Sequence, residues 1–389
     1  MMEKAEKPFK KGKKLEKFHP AYDAFYTFLF TPGHTTKMGS HVRDGIDLKR
    51  TMMTVIVALL PCLIFGMWNV GNQHYLANGE VGSHMDKLLY GLGIVLPIIV
   101  VSYAVGLGVE FIFGIIKGHS IQEGFLVTGL LIPLVMPPDV PLWMVALGTI
   151  FAVVSGKEVF GGTGMNIVNV ALTARAFMFF AYPTFLSGEV WISGLPAKEK
   201  MIDGFTGSTN LGELATLVDN PELKDQVMKG IATPYDSFMG FEAGSIGETS
   251  ALACLIGAAI LIYTGIGSWR IMLSMFAGGY LMQLVFNAWG ANPYMEIDPI
   301  HQLMMGGFMF GMVFMATDPV SAAQTNTGKY IYGFFAGVFT ILIRVFNPAY
   351  PEGAMMAILL MNVCAPLIDH IVINSNIKRR LNRAKLKTA

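Results

Sequence analysis

Residues 88–116 read LLYGLGIVLPIIVVSYAVGLGVEFIFGII and carry one charged side chain, Glu110. A helix of roughly 20 apolar residues crosses the hydrocarbon core of a bilayer, and a run this long and apolar belongs there. Nine further apolar segments lie at approximately 51–68, 121–137, 141–156, 165–183, 249–266, 270–288, 302–317, 330–346 and 354–373. Only 14% of the 389 residues are charged and 53% are hydrophobic. Soluble domains carry roughly 25% charged residues. The expected fold is therefore all-α and integral to a membrane, with ten transmembrane helices.

Two of the segments are broken. The third and fourth are short and separated by PPDVP, and the eighth is interrupted by TDP. Proline removes a backbone donor and stops a helix. In lipid, such breaks survive only against protein or a wet cavity. The abundant glycines, 43 of them, suit close helix packing. Cys62, Cys254 and Cys364 lie inside apolar runs without metal-ligand spacing, so no metal site or disulfide within the chain is expected. A thiolate or two contributed to a site shared with other subunits stays open. The net charge of +1 gives no pull toward nucleic acid.

Basic residues set the orientation. Eleven Lys and Arg precede residue 51, and six follow residue 377. With both ends cytoplasmic, Lys117, Lys157, Arg270 and Lys329 join them, which puts 21 of the 28 basic residues inside. Arg175 and Arg344 fall in or at the edge of spans. The polar loop then faces outward. The N-terminus lacks the apolar core of a signal peptide, so the first apolar segment is expected to stay as a helix. The expected organisation is a basic N-terminal region (1–50), a first membrane half (51–183), an extracytoplasmic loop (184–248), a second membrane half (249–373) and a basic tail (374–389).

Each half holds five spans, so the second is inverted relative to the first. EGFLVTGLLIPLVMPPDVP (123–141) echoes GGFMFGMVFMATDPV (306–320), and VFGGTGMNIV (159–168) corresponds in place to VFNPAYPEGAMMAI (345–358). A 5+5 inverted repeat with broken helices is a transporter-like architecture.

Ionisable residues within a membrane are costly. Glu110, Asp318 and Asp369 are the three in question. Each has a structural role open to it, as partner of a basic group or cap on exposed backbone N–H groups. The alternative role is an ion path, because carboxylates and freed carbonyls at a helix break favour Na⁺. Glu123 reads as an interfacial residue at a helix start. GGTG (161–164) lacks the spacing of a phosphate loop and reads as a tight turn. Asn166 and Asn169 follow it at i, i+3 on one helix face, and bond either a neighbouring helix or the edge of a planar ligand.

In the outer loop, DGFTGST (203–209) has turn composition. It also offers a hydroxyl, Thr209, with little bulk beside it at Gly207 and Ser208, and with Asp203 near enough to orient an incoming phosphate or its metal ion.

Together GSHVRDGIDLKRTM (39–52), KEVFGGTGMN (157–166), DGFTGST, GSIGETSAL (244–252), MATDPVSA (315–322), NPAYPEG (347–353) and IKRRL (377–381) resemble the B subunits of sodium-pumping NADH:quinone oxidoreductases, in matching order over about residues 15–383. In that family a Thr in Asp-x-x-[Ser/Thr]-Gly-[Ala/Ser]-Thr carries FMN through a phosphoester attached by a flavin transferase outside the membrane. The pattern fits Asp203, Thr206, Gly207, Ser208 and Thr209. The resemblance further implies noncovalent riboflavin, with contacts at Asn166 and Asn169, and a quinone region around Gly106, Glu123 and Phe125. It implies Na⁺ movement by way of Glu110, Asp318 and Asp369. The family's paired glycines read Gly106-Leu107 here. The implied setting is a bacterial inner membrane, in a complex whose other subunits supply electrons from NADH. The homologous subunit of a ferredoxin:NAD⁺ oxidoreductase is the nearest alternative, and the basic N-terminal extension favours the quinone-linked complex. A plain solute or ion channel, with no redox chemistry, is the alternative of a different class.

Overall fold

A computed structural model describes residues 22, 36, 38–42, 45–46, 48–117, 124–188, 190–194 and 207–388. Among the described residues there is no strand. Five helices are long and apolar enough to cross a membrane: α1 (Leu48–Asn78), α2 (His84–Lys117), α10 (Trp269–Trp289), α13 (Asn326–Phe346) and α14 (Ala354–Thr388). The chain is an all-helical integral membrane protein.

The remaining apolar segments form shorter helices: α3 (Phe125–Leu134), α4 (Leu142–Val153, extended by a π turn over Val154–Glu158), α5 (Val170–Ala181) and α9 (Ala251–Tyr263). The loop between α5 and α9 contributes α6 (Asn210–Asp219), α7 (Lys224–Gly230) and α8 (Pro234–Met239). The eighth segment is split into α11 (Pro299–Met304) and α12 (Phe308–Phe310), the latter running into a π turn over Gly311–Met315.

That split corrects the expected position of the break. The sequence reading has one segment interrupted at TDP. The structure ends the segment there and breaks it earlier, at Met305–Gly307. Gly306 adopts φ +62, a left-handed conformation that interrupts helical bonding at little cost only for glycine. The fifth apolar segment also becomes helical late: the helix begins at Val170, so Asn166 lies in the preceding loop and Asn169 is the N-cap. The two amides do not share a helix face. The last helix runs on beyond the apolar segment to Thr388.

At 10 residues, α3 rises only about 15 Å. Its freed carbonyls are met by the loop before α9: Ile246 N donates to Met136 O at 3.1 Å, and Gly247 N to Leu134 O at 2.7 Å. The carbonyls left open where α3 stops are thereby paired within the protein.

Before and after the central loop most helix pairings are alike, but α1 packs closely on α2 whereas α9 and α10 make no comparable contact. In the first half α2 packs on α3 and α4, α4 on α5, α3 on α5, and α1 on α3. In the second, α10 packs on α11 and α13, α13 on α14, the 311–315 turn on α14, and α9 on α12. The halves meet through α1 against α9 and α5 against α14. Gly278 on α10 and Gly337 on α13 each lie directly against the other helix's backbone, leaving no room for a Cβ, as small-residue helix contacts in lipid require.

Candidate functional site

Two polar clusters lie at opposite ends of the bundle. The first gathers at the end of the bundle where α1 begins and α2 finishes. Glu110 on α2 and Lys157 on the π turn after α4 form an ion pair, 3% and 4% exposed. Lys157 Nζ also stands over the Phe125 ring, 5.9 Å from its centroid. A Cβ added at Gly106 would overlap that ring, so the glycine is what lets Phe125 lie flush on α2. Lys117 Nζ donates to Glu158 O at 2.6 Å and closes the same corner.

Lys157, Asn166, Asn169 and Asp318 line one cavity of about 120 Å³, walled by Thr51 and Val55 of α1 and by Leu261 and Ile266 at the end of α9. Asn169 Oδ1 accepts from Ala171 N and Leu172 N at 3.0 and 3.2 Å, and Asn166 Nδ2 donates to Val168 O at 3.1 Å. Asp318 accepts from Val320 N at 3.1 Å and from Ser321 Oγ at 2.8 Å. Asp369 lies apart, on α14, where it accepts from Gln324 N, Thr325 N and Thr325 Oγ at 2.6, 3.0 and 2.6 Å. The structure therefore joins Glu110 and Asp318 to one corner through Lys157 and leaves Asp369 outside it. All three carboxylates hold structural partners. Glu123 lies outside the described residues. The enclosed volume takes the edge of a planar ring rather than a whole flavin, since ligand pockets usually start near 300 Å³.

The second cluster centres on the loop that holds DGFTGST. Asp203 and Thr206 lie outside the described residues, and Gly207 is buried. Thr209 is the N-cap of α6: its Oγ1 accepts from Gly212 N at 3.1 Å. Ser208 Oγ donates to Glu213 Oε1 at 2.9 Å and steadies the same turn. A phosphoester at Thr209 puts its anion at the start of a ten-residue helix, where unpaired N–H groups and the helix dipole favour negative charge. The flanking Ser208 and Asn210 line a cavity of about 570 Å³ with Gln73, Phe241 and Glu242, within the size range of cofactor sites and with an aromatic ring to stack on. The room, the ring and the helix N-terminus fit a tethered flavin, while Glu213, Asp236 and Glu242 give the same wall an acidic character.

Behind Thr209 lies a network that the sequence reading did not assign. Arg175 on α5 donates to both oxygens of Glu248, at 2.9 Å each, to Ser245 Oγ at 3.2 Å, and pairs with Glu352. Arg344, fully buried on α13, donates to the carbonyls of Gln302, Met305 and Glu352 at 2.6, 3.0 and 2.9 Å. It thereby satisfies backbone exposed by the break between α11 and α12. The signal was present: a cation inside an apolar span is as costly as a carboxylate. Its partners Glu248 and Glu352 sit just outside their apolar segments and escaped that criterion.

The two clusters share a plan. Phe308 stands to Arg344 as Phe125 stands to Lys157, with the cation 5.9 Å from the ring centroid in both. A Cβ on Gly279 of α10 would lie 3.0 Å from the Phe308 ring, matching Gly106 of α2 against Phe125.

Residues 35–378 match the model of the family described as NQR2, RnfD, RnfE. The chain is 46% identical to a protein of Stutzerimonas stutzeri over 98% of both chains. It is 46% identical to one of Chromohalobacter salexigens over 98% of this chain and 95% of that one. It is 45% identical to one of Azotobacter vinelandii over 98% of both. All three relatives bear the name of the B subunit of a Na(+)-translocating NADH-quinone reductase.

Proposed function

The chain belongs to the NQR2, RnfD, RnfE family, and from that premise we propose that it is the membrane-embedded B subunit of a sodium-pumping NADH:quinone oxidoreductase. One observation carries the reading: 46% identity to a protein of that name along 98% of both chains. It works as one part of a larger complex in the bacterial inner membrane, where NADH-derived electrons reach it through the other subunits and leave to quinone.

Within that role Thr209 holds FMN as a phosphoester, placed by a flavin transferase. Flavin, when bound, supplies reversible electron exchange. The chain's own residues do the holding: the α6 N-terminus receives the phosphate, and Phe241, Asn210, Gln73 and Glu242 line the room beside it. Asp203, Thr206, Gly207 and Ser208 complete the recognition pattern. At the other end, Asn166 and Asn169 present amides to the edge of a noncovalent riboflavin, whose ring extends beyond the enclosed cavity. Gly106, Phe125 and Glu123 form the quinone region.

Ten spans arranged as a 5+5 inverted repeat are supported by the parallel packing of the two halves and by the paired Gly–Phe–cation arrangements. Both termini then lie in the cytoplasm and the 184–248 loop outside. Redox energy drives Na⁺ outward, with Glu110, Asp318 and Asp369 along its path. Because all three hold structural partners, an ion reaches them only as those contacts exchange.

The purified complex tests the reading. NADH-driven quinone reduction stimulated by Na⁺, with Na⁺ uptake into inverted vesicles, is the expected result. Ferredoxin-linked NAD⁺ reduction in its place moves the chain to the homologous complex of the same family. Solute or ion flux without electron transfer makes it a channel.

A further inference from the structure

Glu242 is a buried carboxylate, 6% exposed, in the loop that carries Thr209, and it lines both cavities that meet there. Asn210, the residue after Thr209, donates to its Oε2 at 2.5 Å. Ser237 Oγ donates to the same oxygen at 2.8 Å, and the Gly306 N–H bonds the carboxylate as well. Among the described residues no Lys or Arg forms an ion pair with it. Ser237 Oγ lies 3.4 Å from His301 Nε2, and His301 is half-buried. A carboxylate, a hydroxyl and an imidazole thus stand in line, from beside the flavin threonine toward the outside of the cluster.

We propose that Glu242 is the proton-binding group that balances charge when the flavin on Thr209 is reduced, supplied through Ser237 and His301. The proposal rests on the flavin reading of Thr209. An electron arriving from the donor subunits adds one negative charge to a cavity that already holds the phosphodiester anion. His301 first takes a proton from the outer aqueous phase. The imidazolium then gives its Nε2 proton to Ser237 Oγ as the Ser237 hydroxyl proton passes to Glu242, where an O–H bond forms, and His301 returns to the neutral imidazole. The proton leaves by the same route when the electron moves on, and no bond to the flavin is made.

The surroundings favour this. Glu213 of α6 and Asp236 of α8 line the larger cavity, and Glu248 and Glu352 the smaller one, so the groups facing Glu242 are mostly acidic. Arg344 of α13 is the cation that attracts it, at longer range. Burial outweighs that attraction and pushes the Glu242 carboxyl up to about 7, so it titrates in the physiological range.

Equilibrium redox titration of the purified complex between about pH 6 and 8 tests this, with the Thr209 flavin resolved as the difference from a Thr209→Val complex. The potential of that flavin is expected to fall as pH rises, and to become flat across the window in Glu242→Gln. Ser237→Ala, which keeps the carboxylate but removes a bond to its ionised form, is expected to move the pH profile upward. A flat wild-type profile, or an unchanged slope in Glu242→Gln, overturns the proposal. If Glu242→Gln does not assemble, Ser237→Ala decides, and an unshifted profile overturns it. Absence of any flavin on Thr209 removes the underlying reading too, whereas an attached flavin with a flat profile removes this proposal alone.

Discussion

Lys157 Nζ, in the π turn after α4, is paired with the Glu110 carboxylate on α2, with both side chains shielded from solvent. Each charge is tolerable in the membrane because of the other. Removing one leaves the other buried without its ion-pair partner, which costs about 3–5 kcal/mol. Lys157→Met alone is therefore expected to lower the thermal stability of the assembled complex sharply. Glu110→Gln with Lys157→Met is expected to recover most of the loss. Additive losses in the double variant, followed by fluorescence-detected size exclusion after heating, would show the pair is not energetically coupled.

Gly106→Val drives two methyl groups into the space that the Phe125 ring fills. Overpacking of this kind costs about 1–3 kcal/mol. The ring must shift, and with it the surface that Lys157 faces. The expected effect is a raised KM for quinone, with the flavin on Thr209 still attached. An unchanged KM in an assembled complex takes the quinone away from this corner.

Thr209 caps α6, and in the proposed function it also carries the ester. Thr209→Ala removes both: about 1 kcal/mol of cap stability is lost, and the flavin fluorescence that survives denaturing electrophoresis is expected to vanish. Thr209→Asn keeps a good cap but offers no hydroxyl, so the band should vanish with the loop intact. A fluorescent band persisting in both variants places the covalent flavin elsewhere.

What the sequence makes legible follows from which forces act locally. All ten apolar segments coincide with helical elements, because burial in lipid is a property of each run by itself. The PPDVP break is legible because proline acts on its own neighbours. The break at Gly306 is not: what holds it open is Arg344, bonding carbonyls some 40 residues earlier in the chain, at Gln302 and Met305. The Arg175 network is hidden for the same reason, since Glu248 and Glu352 reach it from loops distant in sequence. Asn166 and Asn169 do reach one cavity, though by a loop and a cap rather than one helix face. Glu110, Asp318 and Asp369 stand out by cost, but cost alone does not separate a cap from an ion ligand.

Asp369→Asn makes that separation. Asn retains one side-chain oxygen, able to accept from Thr325 N; the bond from Gln324 N, made to the other carboxylate oxygen, is lost with the charge, while α13 keeps its own Thr325 cap on Gly328 N. If Asp369 lies on the ion path, the Na⁺ concentration giving half-maximal quinone reduction is expected to rise about tenfold, equivalent to ~1.4 kcal/mol. If it is only a cap, the Na⁺ dependence stays where it was and the path must run by other residues.

Burial lifts the Glu242 carboxyl from 4.5 to about 7, so the folded protein keeps a proton that the unfolded chain releases. Its contribution is full below about pH 4.5 and is lost progressively as pH rises to about 7. A lift of this size corresponds to at most ~3 kcal/mol across that window. The onset of thermal aggregation is therefore expected to fall between pH 5 and 7.5 in the wild-type complex by more than in Glu242→Gln, which has no proton to lose. Glu248 has a similarly raised carboxyl, but it is bound by Arg175 on both oxygens, and its profile should be unaffected by the Glu242 change. Equal pH slopes in the two proteins would mean that Glu242 is ionised throughout, held so by its three hydrogen bonds and the field of Arg344.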